Sequence, residues 1–260
     1  MAKPAEALKR KGFAVTSRRD SWWITPAITF IVFSSFIIYS TWAAFQGANY
    51  RSGPYLSPFY SPELFGSAQS FFGPKPGWLP SFLPWSPAFL ILPFPALFRF
   101  TCYYYRGAYY KAFWADPPSC AVSEPRKGYT GEHGMPLIVQ NVHRYFMYFA
   151  LVFLIFLWRD VYDAFNFGGH FGIGLGTIVL LANTTLLTLY TFSCHSLRHL
   201  IGGRKDCLSA SPISSACYSC VSGLNKKHMV WAWMSLFMVG FADIYVRMLA
   251  MGIWQDWRIL

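Results

Sequence analysis

Four of the six histidines and three of the six cysteines fall where long apolar segments would end. His143, His195, His199 and His228 open or close three separate hydrophobic stretches, with Cys102, Cys120 and Cys194 near them. Imidazole nitrogens and thiolate sulfurs gathered from different segments are the donors that hold a transition metal, a haem iron or an iron–sulfur cluster. The pattern points to an electron-carrying subunit. The other thiols carry less: Cys207 reads as a small hydrophobe, and Cys217 with Cys220 has ligand-like spacing but no second pair to complete a site. Cys120 follows Asp116, Pro117 and Pro118, which hold it in a rigid loop.

Two cofactors fit these groups from spacing alone. A b-type haem needs only two histidines on neighbouring helices, such as His143 and His228, and leaves the cysteines as bystanders. A Rieske-type [2Fe–2S] centre uses two thiolates and two imidazoles, although its usual loop pattern, C-x-H followed by C-x-x-H, is absent from the sequence.

The elements that must position these residues are membrane helices. Hydrophobic residues make up 54% of the chain, aromatic residues 20% and charged residues 13%; the charged share is about half that of a soluble domain. No charge interrupts the residues between Asp20 and Arg51, and 22–45 within them is long enough to cross a hydrocarbon layer of roughly 30 Å. A signal peptide has a shorter apolar region and a small-residue cleavage site, so this span reads as retained. A second span is predicted over 84–105, kinked by Pro84, Pro87, Pro93 and Pro95. A third covers 143–166, a fourth 171–197 and a fifth 228–254, the last with Asp243 and Arg247 inside it. The fold class is an all-α membrane protein, a five-transmembrane-helix bundle forming one domain over 1–260.

Charge sets the orientation. Of the twenty-two lysines and arginines, seventeen fall on the N-terminal arm and the 99–144 and 198–227 connections, against four on the other side: Arg51, Lys75, Arg159 and Arg258. The positive-inside rule then makes the N-terminus cytoplasmic and the C-terminus external, in the cytoplasmic (inner) membrane. The net charge of +11 sorts by membrane side instead of forming a basic patch with stacking aromatics, so no nucleic-acid partner is expected. His143, His195, His199 and His228 all fall near the cytoplasmic interface, whereas His170 lies roughly 37 Å from His195 along the fourth helix, too far to share a cofactor.

The stretches LSPFYSP (56–62), RFTCYYYRGAYYKAFW (99–114), DPPSCAV (116–122), NVHRYF (141–146), SCHSLRHLIGG (193–203) and LNKKHMVWAW (224–233) resemble the membrane-anchor subunit of the mycobacterial-type succinate dehydrogenase 1. The resemblance covers nearly the whole chain. It implies a single-chain complex II membrane domain that carries a Rieske-type cluster in place of haem. The matching positions hold Cys102, Cys120, Cys194, His143, His195, His199 and His228, with Cys120 preferred among the thiols, then Cys102, then Cys194. It also implies an FAD-containing flavoprotein and an iron–sulfur subunit docked on the cytoplasmic face, a menaquinone or ubiquinone acceptor, and assembly beyond one copy of the complex. No FAD fingerprint, P-loop or ferredoxin cysteine run occurs in the sequence, so succinate chemistry belongs to the partners and the role here is anchor, electron relay and quinone site.

For the quinone, Tyr104, Arg144 and Trp231 supply aromatic walls and a donor at the inner interface. Asp243 lies roughly 22 Å along the fifth helix from His228 and is expected either in a proton path with Tyr245 or paired with Arg247 or Arg159. The 47–84 loop reads as an ordered cap without chemistry of its own, and 199–227 as a docking loop for the iron–sulfur subunit. A b-haem anchor of a hydrogenase or formate dehydrogenase is the alternative. A transporter is disfavoured, because five unlike spans show no internal repeat.

Overall fold

The computed structural model describes residues 12–66, 70–74, 77, 86–125, 134, 137–203 and 205–260. Pro84 of the second predicted span and several cations of the charge count (Lys3, Lys9, Arg10, Lys11, Lys75, Arg126, Lys127 and Arg204) lie outside them. Among the described residues four helices are long and apolar enough to cross a membrane: α1 (Ile24–Gln46), α5 (His143–Asp163, entered through a 3-10 turn at Leu137–Val142), α6 (Leu175–Phe192) and α9 (His228–Ala250).

The second predicted span, expected over 84–105 as one kinked helix, is broken into pieces. It forms α2 (Ala88–Ile91) and α3 (Pro93–Phe100), then α4 (Tyr103–Tyr109) and a π-turn over Tyr110–Trp114. Pro93 and Pro95 lack the amide protons a continuous helix needs. Ala88–Phe100 reaches about 20 Å at 1.5 Å per residue, short of a hydrocarbon layer of roughly 30 Å. It nonetheless runs from the core around Val239 to the core around Ala232, parallel to the bundle. Arg99, counted from sequence with a connection, therefore lies inside the bundle.

The fourth span also differs. α6 stops at Phe192, and after Ser193 and Cys194 a separate helix begins, α7 (His195–Gly202). His195 and His199 belong to α7. The region expected as a loop from 199 to 227 contains α8 (Pro212–Asn225), which packs on α7.

α9 is the axis of the bundle, buried along most of its length, whereas α1 buries only Ala43 and Ala44. Ile31, Ile38, Ile155 and Phe237 are exposed around the bundle. Such a surface suits lipid, which is as apolar as those side chains. At the end of the bundle away from His143, hairpin β1 (Arg51–Ser52) and β2 (Tyr55–Leu56) leads into a 3-10 turn at Pro58–Tyr60. A second hairpin, β3 (Asn166–Phe167) and β4 (His170–Phe171), places His170 at this same end. Residues 55–63 are all buried. This segment is tied down by its own side chains: Tyr55 Oη donates to Asp256 Oδ2 of the C-terminal segment at 2.6 Å, Ser57 to Asp243 on α9, and Ser61 to Asp160 on α5. Among the described residues, the cap is held to the bundle by a polar latch.

Candidate functional site

Two tripeptides build the site by the same local device. In Phe100-Thr101-Cys102, the Thr101 hydroxyl donates to Leu97 O at 2.7 Å, and Cys102 turns extended (φ −64°, ψ 133°) before α4. In Phe192-Ser193-Cys194, the Ser193 hydroxyl donates to Tyr190 O at 2.9 Å, and Cys194 turns extended (φ −63°, ψ 137°) before α7. Hydroxyls that bond back to the preceding turn favour helix ends. The extended cysteine then reverses the chain and faces its thiol inward.

The two units serve each other's histidine. Thr101 Oγ1 lies 2.9 Å from His143 Nδ1, and His143 Nε2 lies 3.1 Å from Cys194 Sγ. Ser193 Oγ lies 2.6 Å from His228 Nδ1, and His228 Nε2 lies 3.4 Å from Cys102 Sγ. Each hydroxyl has one proton, and a helix carbonyl takes it. Both hydroxyls must then accept from Nδ1–H, so the hydrogen-bond pattern assigns the same tautomer to both rings and leaves both Nε2 lone pairs facing the thiols. All six side chains are buried.

All of them but Ser193 line a cavity of about 180 Å³ together with Tyr103, Tyr104, Gln140, His195 and Ser196. Phe98 stacks on His143 (centroids 4.8 Å apart, planes at 6°), while Tyr190 and Tyr104 cover His228 at 5.1 and 4.8 Å. Among the described residues no three His, Cys, Asp or Glu groups converge on one ion position. The donors stand as two Cys–His pairs around one space, His143 with Cys194 and His228 with Cys102.

The remaining expected residues distribute unevenly. Cys120, first in order of preference, is exposed and does not line the cavity. Its loop pairs with the N-terminal arm instead: Ala14 N donates to Ser123 O and Ser123 N to Val15 O, each at 3.0 Å, and Arg18 Nη1 donates to Cys120 O at 2.9 Å. His195 sits on the cavity rim, exposed; His199, one turn on, is exposed and outside it. Tyr104 lines the cavity, Arg144 is exposed, and Trp231 packs against the core around Cys102 and Cys194. Asp243 pairs with Arg247 (3.4 Å) and accepts from Tyr39 and Ser57, while Arg159 faces Asp163 at 3.9 Å. Tyr245 donates to Asp256 Oδ1 at 2.8 Å, so it is not joined to Asp243. Sequence reasoning missed Thr101, Ser193, Phe98, Tyr190 and Arg99. The repeated F-[ST]-C tripeptide was the signal for Thr101 and Ser193.

Deeper in the bundle lies an almost wholly apolar cavity of about 140 Å³, lined by Phe36, Phe59, Phe98, Ala150, Leu187 and Tyr190 among others, with Arg99 in its wall. Phe98 and Tyr190 are thus shared: one side faces this space and the other stacks on an imidazole of the Cys/His cavity.

Residues 24–252 match the family described as actinobacterial succinate dehydrogenase subunit SdhC. Among solved structures the chain is similar to one from the Mycobacterium smegmatis Sdh1 complex in the apo form, with 43% sequence identity, a TM-score of 0.86 and coverage of 94% of each chain. No curated protein matches it.

Proposed function

The chain belongs to the actinobacterial succinate dehydrogenase SdhC family, and we propose that, as the multi-pass membrane subunit of that enzyme, it relays electrons through a Rieske-type [2Fe–2S] centre to a quinone. Cys102, Cys194, His143 and His228 are the ligands in this reading. When bound, such a centre takes up and releases one electron at a time. The observation that carries the assignment is the pair of hydroxyl-to-Nδ1 contacts, which present two ligating nitrogens to two thiols. Outer hydrogen bonds of this kind fix ring orientation and tautomer at metal sites.

The haem alternative fits less well. A porphyrin needs an open slot between two imidazoles, whereas here a thiol stands at each Nε2 and an aromatic ring stacks on each imidazole.

The partners follow from the family and the charge pattern. An FAD-containing flavoprotein and an iron–sulfur subunit dock at the end of the bundle that holds the Cys/His cavity, where α7, α8 and the basic connections lie. The positive-inside bias makes that end cytoplasmic and counts Ala88–Phe100 as the second of five passes. The quinone ring occupies the apolar cavity, which is close in size to an engineered cavity of about 150 Å³ that holds benzene. One layer of rings, Phe98 and Tyr190, then separates it from the ligating imidazoles.

The test is EPR of the dithionite-reduced complex purified from membranes. A histidine-ligated [2Fe–2S] signal is expected, lost in Cys102→Ser, Cys194→Ser, His143→Ala and His228→Ala and retained in Cys120→Ser. Haem bands without that signal would sink the assignment. For the quinone, Ala150→Leu is expected to keep the signal and block quinone reduction.

A further inference from the structure

Arg99 brings a positive charge into the bundle, and among the described residues no carboxylate pairs with it. Its Nη1 donates to Tyr105 Oη at 2.9 Å and to Ala232 O at 3.1 Å, and its Nη2 to Ser235 Oγ at 2.9 Å. Its Cζ lies 4.6 Å from the centroid of the Tyr190 ring. All four partners are neutral. The other cation inside the bundle, Arg247, has Asp243 beside it. A guanidinium at membrane depth without a counter-charge is costly, and residues of this kind are kept for a function.

The missing counter-charge lies one ring away. Tyr190, under the Arg99 guanidinium, stacks on His228 at 5.1 Å, and Ala232 is one helical turn along α9 from that histidine. Two ferric ions, two sulfides, two thiolates and two neutral imidazoles sum to zero charge. One electron delivered from the partner subunit makes the sum −1, and its departure to the quinone restores zero.

We propose that Arg99 is the fixed counter-charge for that electron, a positioning residue that stabilises the reduced state of the Cys/His site electrostatically through the Tyr190 ring. This rests on the cofactor assignment above. Arg99 touches no ligand atom, so its effect is on the reduction equilibrium rather than on assembly of the site. At this range and an effective dielectric constant near 20, one charge changes that equilibrium about tenfold, or about 59 mV for one electron.

The experiment is an EPR-monitored redox titration of the purified complex. Arg99→Gln is expected to lower the midpoint potential by about the tenfold step, and Arg99→Lys, which keeps the charge, to stay near wild type. Ser235→Asp sets a carboxylate against the guanidinium and is expected to lower the potential as Arg99→Gln does, while Ser235→Ala leaves it in place. A wild-type potential in Arg99→Gln, or an equal drop in Arg99→Lys, overturns the inference. If Arg99→Gln does not assemble, an unchanged potential in Ser235→Asp overturns it instead. Absence of any [2Fe–2S] signal in the wild-type complex removes the cofactor assignment, and the inference falls with it.

Discussion

Ser193 Oγ lies 2.6 Å from His228 Nδ1, and the same hydroxyl closes the last turn of α6 by donating to Tyr190 O. One atom therefore ends a helix and sets the tautomer of a histidine on another helix. Thr101 does the same for α3 and His143. The two contacts cross, since the histidine held by each unit faces the cysteine of the other.

Removing either hydroxyl frees an imidazole to rotate and to adopt the wrong tautomer. Ser193→Ala and Thr101→Val are expected to weaken metal retention about 10- to 100-fold, the usual cost of losing such an outer hydrogen bond. Ser193→Thr, which keeps the hydroxyl, should restore it. Iron per complex after timed exposure to a chelator gives the measurement, and retention unchanged in both hydroxyl-free variants would refute the role.

The helices that could be read from sequence were those bounded by charge. α1, α5 and α9 begin and end within a few residues of their expected limits because long, mainly apolar runs leave no other solution. The break after Phe192 was not legible: Leu189-Tyr190-Thr191-Phe192-Ser193-Cys194-His195 contains no glycine or proline. It depends on a serine that could as readily have sat inside a helix until His228 packed against it. The prolines of the second span did announce its irregularity, though not that α3 would carry Arg99 into the core. His143 and His228 were visible as span-opening histidines. The ranking of the thiols failed for a different reason. Proline-rigid geometry around Cys120 says that the loop is ordered and nothing about the side it faces, which is set by Arg18 and by the strand-like pairing with residues 14 and 15.

Close packing of the cap on α6 gives a second expectation. A Cβ added at Gly176 would come within 2.5 Å of the Tyr55 ring, and the Tyr55 hydroxyl is bound to Asp256. Gly176→Ala must displace that ring and is expected to cost about 1–3 kcal/mol as an overpacking strain. Thermal unfolding of the detergent-solubilised complex checks it. Tyr55→Ala in the same background should recover part of the loss, and a Gly176→Ala variant as stable as wild type would show that the cap is loose.

Cys207, outside the membrane helices and exposed, has its thiol pKa lowered from the usual value, first by the hydrogen bond with Ser209 at 2.9 Å and then by the backbone amides of Ala210 and Ser209. A lowered pKa means more thiolate at any pH below it, and thiolate is the reactive form. Ser209→Ala removes the largest cause, so the alkylation rate of Cys207 by iodoacetamide should fall near neutral pH and its pH profile move upward. Peptide mass spectrometry resolves this cysteine from the others, and superimposable profiles would count against the hydrogen bond.

Asp243 and Arg247 form an ion pair whose side chains are 0% and 1% exposed, and the carboxylate also receives Tyr39 from α1 and Ser57 from the cap. The four groups join α1, α9 and the 55–63 segment at one point. Breaking a buried pair from one side leaves an uncompensated charge and costs about 3–5 kcal/mol, whereas replacing both partners costs far less. Asp243→Asn and Arg247→Met are each expected to lower the melting temperature of the complex sharply, and the double variant by much less than their sum. The cap gives the same cycle a second readout: limited proteolysis within 47–66 should accelerate in Asp243→Asn, because Ser57 loses its charged acceptor while Tyr55 and Ser61 keep theirs. If the two single effects simply add, the carboxylate and the guanidinium act independently. Asp243 would then have to be explained by its hydroxyl partners alone, as a latch for the cap instead of a counter-ion.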